Sequence, residues 1–401
     1  MRAAMVLALA LALGCAPGHA DELGEPEPPP PVDGSMVPPG WRAPVGACEL
    51  DPAAPRRLAL STTDFATGAL TVVELADGSV EVDVAEGSTD AIPFAHDDAL
   101  VLVHRHRIDR LDVLDARSWS LRAQLALASD GPSPNPHAVA FDARGLAHLT
   151  TFAEPTLRVL DPSLPPAEAE RARIDLGPFA DDDGNPEASL IVRCGDLMVV
   201  TIQRLDPGYR PVGTDHLVVI DPALGEALDL DPDTTAADAL PLLGAWVRQL
   251  RRDPADVGGR TLLALSTGIE RVELDSGIRR WVVPPEAMEA AGIGDPFQPQ
   301  AFDLADDGSV AYLAAYDADY SQVRLYRVGL DGAAPEIPEP FAEGFDSAER
   351  TLELVGDHLW YGSRRLERPG LWRFDVSLDP PQLLDGPIST GLPPYSMVAI
   401  P

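Results

Sequence analysis

One phrase recurs along this chain: a short β-run that ends in an acidic residue followed by a turn residue. It stands as Leu111-Asp112-Val113-Leu114-Asp115-Ala116, Leu157-Arg158-Val159-Leu160-Asp161-Pro162 and Leu217-Val218-Val219-Ile220-Asp221-Pro222. Looser copies are Arg271-Val272-Glu273-Leu274-Asp275-Ser276, Arg327-Val328-Gly329-Leu330-Asp331-Gly332 and Trp372-Arg373-Phe374-Asp375. Val72-Val73-Glu74-Leu75-Ala76-Asp77-Gly78 is a first member, which makes seven copies. Their mean spacing is roughly 50 residues, the period of propeller blades and longer than that of most helical solenoids. A repeat array of this kind uses 401 residues as one closed body rather than as two or three separate domains.

The residues between the copies support antiparallel strands, with apolar alternation broken by Asp-Gly and Asp-Pro turns. Blade one takes Arg57–Thr62, Ala69–Leu75 and Ser79–Ala85; blade two runs from Asp90 to Leu127 and blade three from Pro136 to Leu176. Blade four starts at Ala188, blade five at Trp246, blade six at Gln300 and blade seven at Arg350. Helix-like stretches at Ala167–Arg173 and Pro285–Ala291 read as insertions between blades. Blades three and six overlay almost residue for residue. Pro136-His137-Ala138-Val139-Ala140-Phe141 and Pro299-Gln300-Ala301-Phe302-Asp303-Leu304 each lead through a glycine turn into a second strand. Pro394-Tyr395-Ser396-Met397-Val398-Ala399-Ile400 copies that innermost strand, yet no blade follows it, and blade one lacks an innermost strand of its own. The tail therefore completes blade one and closes the ring, which leaves only short, protected sheet edges. The expected fold is all-β, a seven-bladed β-propeller over residues 56–401 closed by its C-terminal strand.

At this level the chain resembles the YVTN-type seven-bladed propellers of bacterial envelopes. Residues 136–162 match their repeat best, and 215–222 match its third-strand element. The tyrosine-valine-threonine-asparagine signature is reduced here to His148-Leu149-Thr150-Thr151. The resemblance implies a fold and an envelope location, and no single activity.

Charge narrows the partners. The formal net charge is −34, and all 30 basic residues are arginine. Without lysine there is no Schiff-base chemistry and no phosphate-loop lysine. An acidic surface repels phosphate backbones, and no basic patch carries interleaved aromatics, so nucleic acid is not an expected partner. At the N-terminus, Arg2 precedes the apolar run Ala3–Leu13, which is too short to span a bilayer and reads as an export signal within residues 1–20. Leu11-Ala12-Leu13-Gly14-Cys15 resembles a lipobox, which makes Cys15 the lipidated residue; the competing cut follows Ala20, after Gly18-His19-Ala20. Residues 21–55 read as a tether, acidic and proline-dense at Glu25-Pro26-Glu27-Pro28-Pro29-Pro30-Pro31. The expected location is the cell envelope, periplasmic or surface-facing, or outside the cell if the second cut is used. Contact with the membrane is expected through the lipid alone, and the chain as a monomer.

Cys48 and Cys194 then remain. In an oxidising compartment they can pair, although Cys48 precedes blade one and Cys194 lies in blade four. A bridge requires the N-terminal segment to cross one face of the ring; two buried thiols are the alternative.

Propellers bind ligands at the mouth of the central channel, where the innermost strands begin. Those positions are Asp90, His137, Glu187, Gln300, Arg350 and Tyr395, suited to a polar ligand or a peptide. Asp181-Asp182-Asp183-Gly184-Asn185 is the densest run of oxygen donors, with Asp181 and Asp183 as weak cation candidates; its spacing is not that of an EF-hand. His104 and His106 share a strand face but lack a third ligand. Gly-x-Ser-x-Gly, His-Glu-x-x-His, Cys-x-x-Cys and haem-attachment motifs are absent, so no catalytic residue, resident metal or cofactor is expected. The expected role is a binding module of the envelope for a protein, peptide or glycan. The alternative is a propeller enzyme, either a lactonase-like metal-dependent hydrolase or a quinoprotein-type dehydrogenase.

Overall fold

The computed structural model describes residues 41, 43–49, 55–127, 132–230, 238–330, 335–347 and 349–401. The signal segment 1–20 with Cys15 and Ala20, and the proline-dense run Glu25–Pro31, lie outside the described residues. Among those described, the strands form seven antiparallel sheets arranged as the blades of a propeller.

Blade one joins the tail to the head. Its order is Pro394–Ile400, Arg57–Thr63, Gly68–Glu74 and Val80–Gly87. Ala59 faces Val398, Leu60 faces Met397 and Ser61 faces Ser396. The Arg56 N–H donates to Ile400 O, and Thr63 N–H to Pro393 O, both at 2.8 Å. Blades two and three, Ala91–Ala126 and Pro136–Asp175, follow with four strands each. Blade four begins with Ala188–Cys194, blade five with Gln249–Arg252, blade six with Pro299–Leu304 and blade seven with Leu352–Val355.

The recurring aspartate has a mechanical role. Asp115 Oδ1 accepts from the backbone N–H groups of Arg117 (3.0 Å) and Ser118 (2.8 Å), and Asp221 Oδ1 from Ala223 (2.7 Å) and Leu224 (3.1 Å). Asp77, Asp161 and Asp375 do the same for Ser79, Ser163 and Ser377. Each carboxylate satisfies backbone donors in the turn that leads from the third strand to the fourth. Blade five substitutes a serine: the Ser276 hydroxyl donates to Glu273 and its oxygen accepts from Ile278 N–H.

Burial follows distance from the axis. Second strands such as Ala99–His104 and Leu197–Ile202 are buried throughout, while the outermost strands Val80–Gly87 and Gln382–Ile388 contain no buried residue. The apolar core is divided among the seams between blades. Leu58, Leu60, Trp360 and Met397 fill the seam of blades seven and one, and Leu100, Leu102, Val72 and Ile400 that of blades one and two. No blade buries its own faces, so the ring stands or falls as a unit.

Two expectations need correction. The stretch Ala167–Arg173 is only briefly helical, at Pro166–Glu168; Glu170–Asp175 is the fourth strand of blade three. Pairing with Thr156–Leu160 supplies its backbone with ladder bonds, which outweigh the helix propensity of Ala and Glu. Pro285–Ala290 is a helix as expected. The second correction concerns where the packed body starts. Trp41, Ala43 and Val45 are buried in the seam of blades four and five, well before Arg56. Trp41 Nε1 donates to Leu274 O at 2.9 Å. Cys48–Glu49 then pairs with the inner edge of blade four, Cys48 opposite Cys194 and Glu49 opposite Arg193, and a disulfide joins the two cysteines. The strap requires glycine on both sides: a Cβ on Gly46 would lie 2.8 Å from Gly195 Cα, and Gly195 has φ +69°.

Candidate functional site

The six residues expected at the channel mouth do begin the innermost strands, but they fall into different environments. Asp90 and Tyr395 belong to a network that reasoning from sequence missed. Its centre is Arg105, which stands in the turn after the second strand of blade two. Its guanidinium donates to Asp90 Oδ1 (Nε at 2.9 Å), Glu349 Oε1 (3.1 Å) and Tyr395 Oη (2.7 Å). Tyr395 Oη donates in turn to Asp90 Oδ1 at 2.5 Å. Blades two, seven and one are thus tied together at the axis. Burial disfavours the Arg105 charge, but Glu349, Tyr395 and Asp90 more than offset it and hold the guanidinium above its usual range. Burial also opposes ionisation of Glu349, yet Arg105 and Arg248 draw its pKa below the ordinary value.

His137 stacks on Phe152 with ring centroids 4.4 Å apart. Burial, together with Arg105 and Arg350, pushes its pKa well down, which favours the neutral ring. Gln300 turns aside: its Nε2 donates to Phe297 O at 2.6 Å and Gln298 O at 3.2 Å. Glu187 is 4% exposed, and its Oε1 accepts from Asn185 Nδ2 at 2.9 Å. Burial first, and then Asp183 and Asp181, push its carboxyl up to about 8.

The cation candidates Asp181 and Asp183 stand in the loop that leads into blade four. Asp181 Oδ1 accepts from Asp183 N–H (3.2 Å) and Asp183 Oδ1 from Asn185 N–H (2.8 Å). Asp181 Oδ2, Asn185 Oδ1 and Glu187 Oε2 are buried without a hydrogen-bond partner. Among the described residues, no three His, Cys, Asp or Glu side chains are arranged to hold a metal ion. His104 and His106 part company: His104 is buried between Asp112 (3.0 Å) and Ser88 (2.9 Å), whereas His106 is exposed.

Arg350 lines a cavity. About 330 Å³ opens along the axis between the later halves of the innermost strands, walled by Phe94, Val139, Leu190, Leu250 and Met397. The Arg350 guanidinium lies over Phe94, 5.4 Å from the ring centroid. Burial pushes its pKa down to about 10; Glu349 and Glu353 oppose the shift, while Arg105 and Arg251 add repulsion. Deeper in, Arg251 is paired with Asp303 (3.4 Å) and Glu353 (3.3 Å). At the far end, His96 stacks on Phe141 at 3.8 Å, and Arg193 meets Glu49 of the strap at 3.3 Å. The strap therefore borders the cavity as well as filling a seam. A pocket this size lies at the lower end of the range for small-molecule sites, and charged side chains, Glu49, Asp97, Arg193, Arg251, Arg350 and Glu353, share its lining with the apolar ones.

Sequence reasoning located Arg350 because it opens a strand. Arg105 and Arg251 carried no such mark, one lying in a turn and the other within a strand.

No protein-family model matches this chain. No curated protein matches it either. Solved structures do. A putative 6-phosphogluconolactonase from Bacteroides fragilis is similar at a TM-score of 0.53 and 12% identity, over 86% of this chain and 99% of that one. A functionally unknown protein from Desulfotomaculum acetoxidans is similar at 0.52 and 11%, over 85% and 98%. A protein from Lactobacillus plantarum is similar at 0.51 and 13%, over 86% and 99%. At such identities the likeness is one of fold alone.

Proposed function

We propose that this chain is an exported, lipid-anchored β-propeller of the cell envelope that binds a ligand in its axial channel and meets a protein, peptide or glycan partner with its mouth face. The observation that carries this reading is the axial cavity of about 330 Å³ with the Arg350 guanidinium in its wall. Exposed apolar side chains on turns between second and third strands, Phe65, Ile108, Tyr209, Tyr320 and Leu366, give the mouth face a surface suited to a partner. The net charge of the whole chain, −34, disfavours nonspecific adhesion to other acidic surfaces. Export and the lipid on Cys15 rest on the sequence of residues 1–20.

The test passes envelope extract over the immobilised wild-type chain and a variant carrying Arg350→Gln and His137→Ala. Captured proteins and co-purifying small molecules are then identified by mass spectrometry. The reading expects at least one species that the wild type retains and the variant loses. Identical profiles from the two would overturn it.

A further inference from the structure

The arginines along the axis are paired unevenly. Arg105 takes two carboxylates, Asp90 and Glu349, and Arg251 takes two more, Asp303 and Glu353. Arg350 is close enough to feel both, and its guanidinium forms no ion pair or hydrogen bond with a described residue; it lies over the face of Phe94. Glu349 and Glu353 act on it only from beyond ion-pair distance, so no carboxylate rests on the guanidinium, and the cost of holding it buried falls when an anion arrives. That such a cation survives in a chain of net charge −34 makes chance an unattractive account of it.

We infer that the axial cavity takes a carboxylate, carried by a small acid with a short apolar body, whose charge rests on Arg350. This deepens the proposed reading of the channel as a ligand site and depends on it. The forked donors of arginine match the two oxygens of a carboxylate. Phe94, Val139, Leu190, Leu250 and Met397 supply the wall for the body of the acid. A neutral ligand would leave the Arg350 charge unmet. Inorganic phosphate, more strongly hydrated and with no apolar part, would gain nothing from those apolar side chains.

Calorimetric titration of the purified full chain near neutral pH tests this with four probes: phenylacetate, hexanoate, phenylacetamide and inorganic phosphate. At least one of the two acids should bind, and phenylacetamide should bind at least about tenfold more weakly than phenylacetate. Arg350→Gln should weaken the acid by about tenfold or more and leave the amide unchanged. Arg117→Gln, on an exposed residue off the axis, should change nothing. Circular dichroism checks that Arg350→Gln folds; if it does not, Arg350→Lys replaces it, expected to weaken acid binding by a smaller factor. Equal binding of acid and amide, both lost in the variant, overturns the carboxylate assignment while the channel remains a ligand site. Binding of phosphate alone, or of no probe at millimolar concentration, also overturns it. The proposed function falls as well only if the extract profiles of wild type and variant coincide.

Discussion

Cys48 and Cys194 are partners twice, as opposite residues in a β-ladder and as the two halves of a disulfide. The bond closes a sequence separation of 146 residues, which spans blades one, two and three and reaches into blade four. It also holds the strap whose Trp41, Ala43 and Val45 fill the seam of blades four and five. Covalent and apolar contributions therefore act on the same segment.

Removing the bond should cost the chain about 2–5 kcal/mol, as loss of a long-loop disulfide commonly does. Cys48→Ala with Cys194→Ala should lower the urea midpoint, as should reduction of the wild type. Hydrogen exchange adds a local readout, in which amides of residues 43–49 lose protection before those of the blades. Unchanged protection across the strap would show that packing alone holds it.

A second prediction concerns the closing strand. Met397 is 3% exposed and packs with Leu58, Leu60 and Trp360 where blade seven meets blade one. Met397→Ala should cost about 2–5 kcal/mol through lost burial and the cavity left behind. Removing residues 394–401 should do more, because it bares the edge of Arg57–Thr63 and opens the ring. Equilibrium denaturation, with sizing for new oligomers, reads both. A truncated chain as stable and monomeric as the wild type would refute closure as the source of stability.

This closing strand was legible in the sequence because it duplicated an innermost strand and had no blade to lead. The blades were legible because an aspartate turn recurs where most third strands end, and Asp115, Asp161 and Asp221 show the reason in the backbone donors they bind. The strap was not read, although Trp41, Ala43 and Val45 alternate as strand residues do. Their proline-rich surroundings, with Pro38, Pro39 and Pro44, spoke for a tether. The channel was only partly legible. Arg105, Glu349 and Tyr395 are brought together by the closure of the ring, and such proximity leaves no local pattern in the chain.

The third prediction is a pH dependence at Glu187. Its folded-state pKa stands at about 8 against an ordinary 4.5, because burial and two nearby aspartates penalise its charge. The folded chain thus keeps a proton that the unfolded chain releases. Stability from this group is fully present below about pH 4.5 and drains away as pH rises toward about 8. Glu187→Gln, neutral at every pH, should flatten that part of the profile and leave the protein more stable than the wild type at the alkaline end. Denaturant titrations across the interval check it. A profile equally steep in both proteins would assign the slope to other groups.

The last prediction isolates the axial network. Arg105→Gln leaves Asp90 and Glu349 without the cation that holds them beside Tyr395. Since both carboxylates retain some access to water, with side chains 31% and 29% exposed, the loss should be moderate, about 1–3 kcal/mol. Glu349→Gln alone strands part of the Arg105 charge and should cost a similar amount. The double variant removes a cation and an anion together, so its cost should fall short of the sum of the two single changes. That shortfall is the coupling energy of the pair. Strict additivity in a double-mutant cycle would mean that Arg105 supports the mouth by packing and not by charge, and blades two and seven would then owe their alignment to the apolar seams.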